Sequence, residues 1–395
     1  MLRFLTAGES HGPALVGIVE GLPAGLRVDS DAINADLARR QIGVGRSARM
    51  RIEHDRAEIL SGVVKGQTIG APVALKIENA DYANWKDRTV PPQTIPRPGH
   101  ADLAGAQKYG FDDMRRVAER ASARETAMRV ACGSLARRLL AEFGVVVGSH
   151  VLEIGGVRAD IPDAPYPEIF ARAQASDVSV ADPASAERIA ARIQEVMRGK
   201  NTVGGVVEII ALNVPVGLGS HVHWDRKLDG RLAQAVMSIQ SVKGVEIGPA
   251  FDNSRHLGTE VQDEILPSPL QRDGARAGSG WEPARHTNRA GGLEGGITNG
   301  QPVVIRAALK PIATTATPLR SVDAATGKAA LAEYQRSDFC HVPRACVIGE
   351  AMVAWVLADA LIDKVGGDSL SEMKAHWSGT LPEVAETRPR LQESE

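Results

Sequence analysis

Residues 115–143 read RRVAERASARETAMRVACGSLARRLLAEF, and their spacing predicts one long helix from Arg115 to Phe143. Small residues recur along it (Ala118, Ala121, Ala123, Ala127, Ala131 and Gly133), so another element can pack close to its backbone. Arg116, Arg120 and Arg124 stand at i, i+4 and i+8, which puts three like charges on one face of a continuous helix. Each such pair costs a few tenths of a kcal/mol. Glu119 and Glu125 offset part of that cost, and a bound anion would relieve the rest; a solvated face is the plain alternative. Ala121 and Ser122 leave room beside Arg120 for a flat, phosphate-bearing ligand.

The remaining segments are read outward from this helix. Leu15–Glu20, Arg51–Ser61, Ala71–Ile77, Val145–Ile154, Val206–Asn213 and Val303–Leu309 have strand character. Helices are expected over Asp31–Gln41, capped by Ser30, and over Pro183–Met197 and Asp225–Gln240. Residues 79–99 read as irregular, 250–290 as a polar loop whose part from Asp252 to Arg285 could be a mobile lid. Ala345–Val365 is apolar but interrupted by Glu350, Asp359 and Asp363, which makes it a buried or amphipathic helix and not a membrane span. Strands and helices do not alternate as a doubly wound parallel sheet requires. The fold class is therefore α+β, with mainly antiparallel strands. One catalytic domain spans 1–365, followed by a polar tail, 366–395, expected to be partly disordered.

Composition narrows the function classes. A net charge of -2 over 395 residues and 4% aromatics speak against a nucleic-acid partner. Three cysteines with no C-x-x-C indicate neither a disulfide framework nor a thiolate metal site, and fit a reducing compartment. The N-terminus lacks the basic and apolar regions of a signal peptide, so the cytoplasm is the expected location. P-loop, dinucleotide-binding, zinc-protease and nucleophile-elbow motifs are missing, and no metal is expected.

What remains is histidine, aspartate and arginine framed by glycine and proline. Gly8–Gly12 (GESHG) presents His11 on a flexible loop, with Glu9 and Ser10 beside it as groups able to set its tautomer. Arg39, Arg40, Arg46 and Arg49 cluster after the first helix. Pro96–Asp102 (PRPGHAD) frames Arg97 and His100, and Gln335–Asp338 carries Arg336 and Asp338. Arginine suits bidentate contact with carboxylate and phosphate. The glycine-rich run 287–300 and the segment Lys310–Thr315 offer exposed amides, a cation and hydroxyls for an anion or a planar cofactor.

These segments, in order, resemble the chorismate synthase family: GESHG (8–12), RSARM (46–50), RPGHAD (97–102), QKYG (107–110), ERASARETAMRVA (119–131), IQSVKGVEIG (239–248), TNRAGGLEGGITNGQPV (287–303), KPIATT (310–315) and QRSD (335–338). The resemblance implies a β-α-β sandwich with helices between antiparallel sheets, assembled as a homotetramer. It implies a lyase of the shikimate pathway that eliminates phosphate from 5-enolpyruvylshikimate-3-phosphate to give chorismate, using reduced FMN with no net redox change. His11 would protonate the leaving phosphate, His100 would keep the flavin in its useful charge state, and Asp338 would assist deprotonation. Substrate anions would meet Ser10, Arg40, Arg46, Arg49, Arg97 and Arg124. FMN would meet Arg120, Ala121, Ser122, Gln240, Ser241, Gly295, Lys310, Pro311, Ile312, Ala313, Thr314 and Arg336. A nicotinamide-cofactor (NADP) contact is implied near Arg40 and Arg46, with NADPH as an external reductant acting through a separate flavin reductase. Ala313 departs from the serine frequent in the family and removes a hydroxyl near the FMN site. The competing readings are an FMN-dependent oxidoreductase acting on a small phosphorylated acid, and a non-catalytic anion-binding protein.

Overall fold

Two antiparallel sheets face one another across a layer of helices. A computed structural model describes residues 1–45, 54–267, 284–335 and 337–377. The first sheet is built from β1 (Arg3–Ala7), β2 (Ala14–Glu20), β3 (Ala57–Ser61) and β4 (Val73–Glu78), in the order β1-β2-β4-β3. The second contains β5 (Val146–Ile154), the short β6 (Val157–Arg158), β7 (Gly205–Leu212), β8 (Val242–Ile247) and β9 (Val303–Leu309), in the order β8-β9-β7-β5-β6. Every pairing within both sheets is antiparallel. The helices between them include α1 (Ser30–Gln41) and, further along, the two that carry the core.

Those two are residues of the 115–143 stretch and of the apolar 342–365 stretch. The first is not one helix. It runs as α2 (Arg115–Ala121), breaks at Ser122 with ψ 141°, makes one 3-10 turn over Ala123–Glu125, and resumes as α3 (Thr126–Ala141). Local propensity favours helix throughout ERASARET. The break persists because the Ser122 side chain accepts from the Arg124 N–H and caps the next turn. The second, α4 (Val342–Val365), is buried on all sides and sits between α3 and the second sheet. It is long and apolar enough to cross a membrane, but most of its apolar window is buried inside the protein, as in a core helix.

Close approach explains the small residues. A Cβ on Gly133 of α3 would lie 2.5 Å from Ala351 Cβ of α4. One on Gly17 of β2 would strike Met128 and Cys132 of α3, and one on Gly349 of α4 would strike Ile209 of β7. Each layer thus meets the next at a residue without a side chain. Val207, Ile209, Ala211, Val303 and Ile305 point inward to this core, whereas Ile210, Leu212 and Val304 pack outward beneath Tyr166, Ile169 and Phe170. Among the described residues the first sheet has no such cover: on its outer face Leu5 is 72%, Ile18 44% and Leu60 52% exposed.

Boundaries shift modestly elsewhere. Asp29, not Ser30, caps α1, accepting from Asp31 N at 2.9 Å. The segment after Gly366 does not fray at once. Leu370–His376 is helical, Leu370 and Met373 are buried, and Leu370 N donates to Ala24 O at 2.8 Å. The apolar pair at i, i+3 is the signal that a polar composition concealed. The expected lid falls partly on 268–283 and the rest of the tail on 378–395, outside the described residues.

Candidate active site

The β1–β2 loop carries His11. Gly8 turns the chain with φ 107°, and a Cβ there would strike Ala14 O at 2.4 Å, so the position needs glycine. His11 Nδ1 lies 2.7 Å from Glu119 Oε1, and the His11 backbone N–H donates to Glu119 Oε2 at 2.7 Å. Ser10 N–H donates to the Glu119 carbonyl at 3.0 Å, and Ser122 Oγ lies 3.2 Å from Ser10 Oγ. The Trp85 ring lies against His11, centroids 4.1 Å apart. The carboxylate bonded to the ring is thus Glu119 on α2, where the sequence had offered Glu9. A cleft of about 350 Å³ opens here, lined by His11, Trp85, Arg88, Arg115 and Glu119 among others.

The break at Ser122 also disperses the expected arginine face. Arg116 stacks over Phe111. Arg120 donates to Gly8 O and Thr6 O, stapling α2 to the loop. Arg124 is turned inward to Asp55 Oδ1 at 2.5 Å and Asn79 Oδ1 at 2.8 Å. Arg40 reaches the same carboxylate from α1, 3.3 Å from Asp55 Oδ2, and also bonds Thr126 and the Ala123 carbonyl. Burial lowers the Arg40 guanidinium to about 10, with Asp55 opposing the shift and Arg344 and Arg124 adding to it. Asn79 closes the link to the first loop by donating to Glu9 O and Gly12 O.

A second cluster forms around Asp102, which is fully buried. Arg97 Nε donates to Asp102 Oδ2 at 2.7 Å, and His100 Nδ1 lies 2.6 Å from Asp102 Oδ1. Burial opposes ionisation of this carboxyl, but the bonds from Arg97 and His100 outweigh it and hold it well below the usual carboxylate range. Lys310 Nζ donates to Gly99 O at 2.5 Å, and Ala313 lies close to the same turn. Lys310 N in turn donates to Ser241 O, a residue at φ 74°. Thr202 Oγ1 donates to Ile312 O, beyond Pro311, and Ser337 Oγ to Thr314 O. Asp338 is ion-paired with Arg344.

These contacts form two chains, one from the His100 turn through Lys310, Thr314 and Ser337 to Asp338 and one from Arg40 through Asp55, Arg124 and Asn79 to the His11 loop, and Arg40 stands in the fields of Asp338 and Arg344. Gly295 is the exception. Its hairpin bonds to Leu228 and Leu218 on another flank and not to either histidine. Arg46, Arg49 and Arg336 lie outside the described residues, but Phe339 N donates to Gly45 O, which ties the chain entering the first two to the Asp338 segment. Glu119, Asp55, Asn79, Asp102 and Arg344 were not legible as site residues. Asp102 carried a local signal in RPGHAD; the others depend on partners far along the chain.

A model of the chorismate synthase family matches residues 2–362. This chain belongs to the chorismate synthase family. The chorismate synthase of Geobacter sulfurreducens is 52% identical, covering 97% of this chain and 99% of its own. That of Desulforudis audaxviator is 54% identical, covering 94% and 95%. A crystal structure of chorismate synthase superposes with a TM-score of 0.76 at 42% identity, covering 95% of this chain and 96% of its own. The α+β fold and the enzyme class follow: chorismate synthases are lyases of the shikimate pathway to aromatic amino acids and act on a small molecule.

Proposed function

We propose that this chorismate synthase eliminates phosphate from C3 and hydrogen from C6 of 5-enolpyruvylshikimate-3-phosphate, with reduced FMN and no net redox change. The observation that carries this reading is the charge set around Arg40. Arg40 and Arg124 share the buried carboxylate of Asp55, and Arg344, paired with Asp338, stands within electrostatic reach of Arg40, so three guanidinium groups gather in one region of the protein. A substrate with two carboxylates and a phosphate is the kind of ligand that clustered guanidinium groups bind.

Arg97 and Arg124, each oriented by a buried aspartate, hold the substrate anions, with Ser10 beside them. Arg40 has each of its nitrogens bonded within the protein and acts chiefly through its field; a nicotinamide contact at Arg40 gains no support from that burial. Arg46 and Arg49 belong to the same anion set by resemblance. His11 gives a proton to the departing phosphate oxygen. His100, locked by Asp102, controls charge on the cofactor side, and Asp338, paired with Arg344, assists removal of the proton.

The fit to FMN rests on an orphan. Gln240 Oε1 is buried with no hydrogen-bond partner among the described residues, an acceptor that a ring N–H would satisfy. Gln240, Ser241, Lys310, Ala313 and Thr314 would hold the cofactor, with Arg120, Ala121 and Ser122 at the helix break, and Arg336 joins the set by resemblance alone. The lost hydroxyl at Ala313 leaves the main-chain contacts available. When bound there, reduced FMN would supply an electron-rich ring able to lend density transiently to the allylic system, with no net redox change.

The uncovered apolar face of the first sheet supports a homotetramer, because a patch of Leu5, Ile18 and Leu60 is an expected contact surface. Burial pushes the thiols of Cys132, Cys340 and Cys346 up to about 12, which keeps them inert and agrees with a cytoplasmic protein. NADPH serves through a separate flavin reductase. The test is anaerobic incubation with reduced FMN and substrate. Equal release of phosphate and chorismate with the flavin still reduced is expected. Flavin oxidised once per turnover establishes an oxidoreductase instead, and absence of product overturns the proposal.

A further inference from the structure

We propose that Glu119 is the positioning residue of His11: its carboxylate keeps the proton on Nδ1, so that Nε2 is the nitrogen that exchanges a proton with the substrate. This rests on the reading of His11 as the proton donor. An ionised carboxylate only accepts hydrogen bonds, so the 2.7 Å contact from Nδ1 to Glu119 Oε1 requires the hydrogen on Nδ1. The other oxygen accepts the His11 backbone N–H at 2.7 Å, and the Glu119 carbonyl accepts Ser10 N–H at 3.0 Å. One residue therefore grips two consecutive main-chain amides and the ring between them.

Nothing in this arrangement lets the ring turn over cheaply. Trp85 lies against one face at a centroid distance of 4.1 Å and a tilt of 37°. Arg120, next in sequence, is bonded to Gly8 O and Thr6 O, which prevents α2 from withdrawing the carboxylate. Flipping the imidazole would trade a charge-assisted bond for a carbon facing the carboxylate. In the protonated ring both nitrogens carry hydrogen. Nε2 then passes its proton to the phosphate oxygen as the C3–O bond breaks, and His11 is left neutral with Nδ1–H still bonded to Glu119. Glu119 thus selects one tautomer of the ring after the transfer.

A staple with no chemical role predicts a different outcome. The expected results are as follows for the full-length protein with reduced FMN. Glu119→Ala lowers kcat by roughly 100-fold, a fair share of what a general acid contributes, with substrate KM changed by less than about threefold. Glu119→Gln, whose amide oxygen can still accept from Nδ1, restores activity to within about tenfold of wild type. Solid-state ¹⁵N spectra of histidine-labelled protein, assigned with His11→Ala, show the neutral His11 ring as the Nδ1–H form in wild type and shifted toward Nε2–H in Glu119→Ala. A neutral Nε2–H ring in wild type, or wild-type kcat in Glu119→Ala, overturns the proposal. Wild-type turnover in His11→Ala overturns instead the reading on which it rests, and the spectra separate the two failures. If Glu119→Ala does not fold, the wild-type spectrum and Glu119→Gln decide: an amide variant as slow as roughly 100-fold below wild type with an unchanged tautomer also overturns it.

Discussion

Replacing Gly133 by alanine tests the layer contact on which the sandwich depends. The added Cβ would stand 2.5 Å from Ala351 Cβ and 2.7 Å from Ala351 O. Well-packed carbons sit about 3.5–4.0 Å apart, so α3 and α4 must separate by roughly 1 Å. Overpacking of this kind costs about 1–3 kcal/mol, against which the better helix propensity of alanine returns about 1 kcal/mol. A net loss of up to about 2 kcal/mol is expected, toward the upper end because the clash includes the Ala351 backbone oxygen. Gly230, in the helix Leu228–Met237, provides the control, because a Cβ there meets nothing within 4 Å. Gly230→Ala should gain up to about 1 kcal/mol from propensity alone. The assay is urea unfolding at one protein concentration, read by circular dichroism and fluorescence with unchanged m. Two chemically identical substitutions should move the midpoint in opposite directions. If Gly133→Ala is as stable as wild type, the close helix approach is not what the small residues provide.

Three further outcomes follow from named contacts. Asp102→Asn removes the charge that orients Arg97 and His100, so substrate KM should rise and kcat fall together, by roughly 10-fold or more each, while circular dichroism stays native; a kcat change alone would mean that Arg97 does not need Asp102. Burial pushes His341 down to about 4 from an ordinary 6.5, and both its ring nitrogens are buried with no hydrogen-bond partner among the described residues. Its neutral form is retained on folding, so the associated stability is fully present above pH 6.5 and lost as pH falls toward 4, at about 1.4 kcal/mol per unit. His341→Leu should flatten that limb of a pH series of unfolding midpoints, and an unchanged slope refutes the assignment. Ile18→Lys, on the open face of the first sheet, should lower the sedimentation mass of the assembly without unfolding the chain; an unaltered mass would move the interface elsewhere.

Much of the scaffold was legible. The strand Val303–Leu309 matches to the residue and the apolar 345–365 stretch is helical within a few residues, because both have strong local patterns. The single helix over 115–143 was misread for an equally local reason: ERASARET consists of good helix formers, while its break is stabilised by Ser122 capping Arg124 and by Arg124 turning inward to Asp55. The expectation of Arg116, Arg120 and Arg124 on one face fell with it. Glu9, two residues before His11, was the natural partner from sequence, and the ring bonds a carboxylate 108 residues away.

By itself the sequence determined which residue types were available for anion chemistry, which segments bury an apolar face, and the family to which their motifs correspond. Periodicity can do this because it reports which side of a helix or strand is apolar. Only the tertiary structure decided which carboxylate serves which base: Glu119 for His11, and one Asp55 for both Arg40 and Arg124. A hydrogen bond needs its partner within about 3 Å at a set angle. Meeting that condition across 108 residues depends on how the helix breaks at Ser122 and where α2 crosses the β1–β2 loop, which no local pattern records.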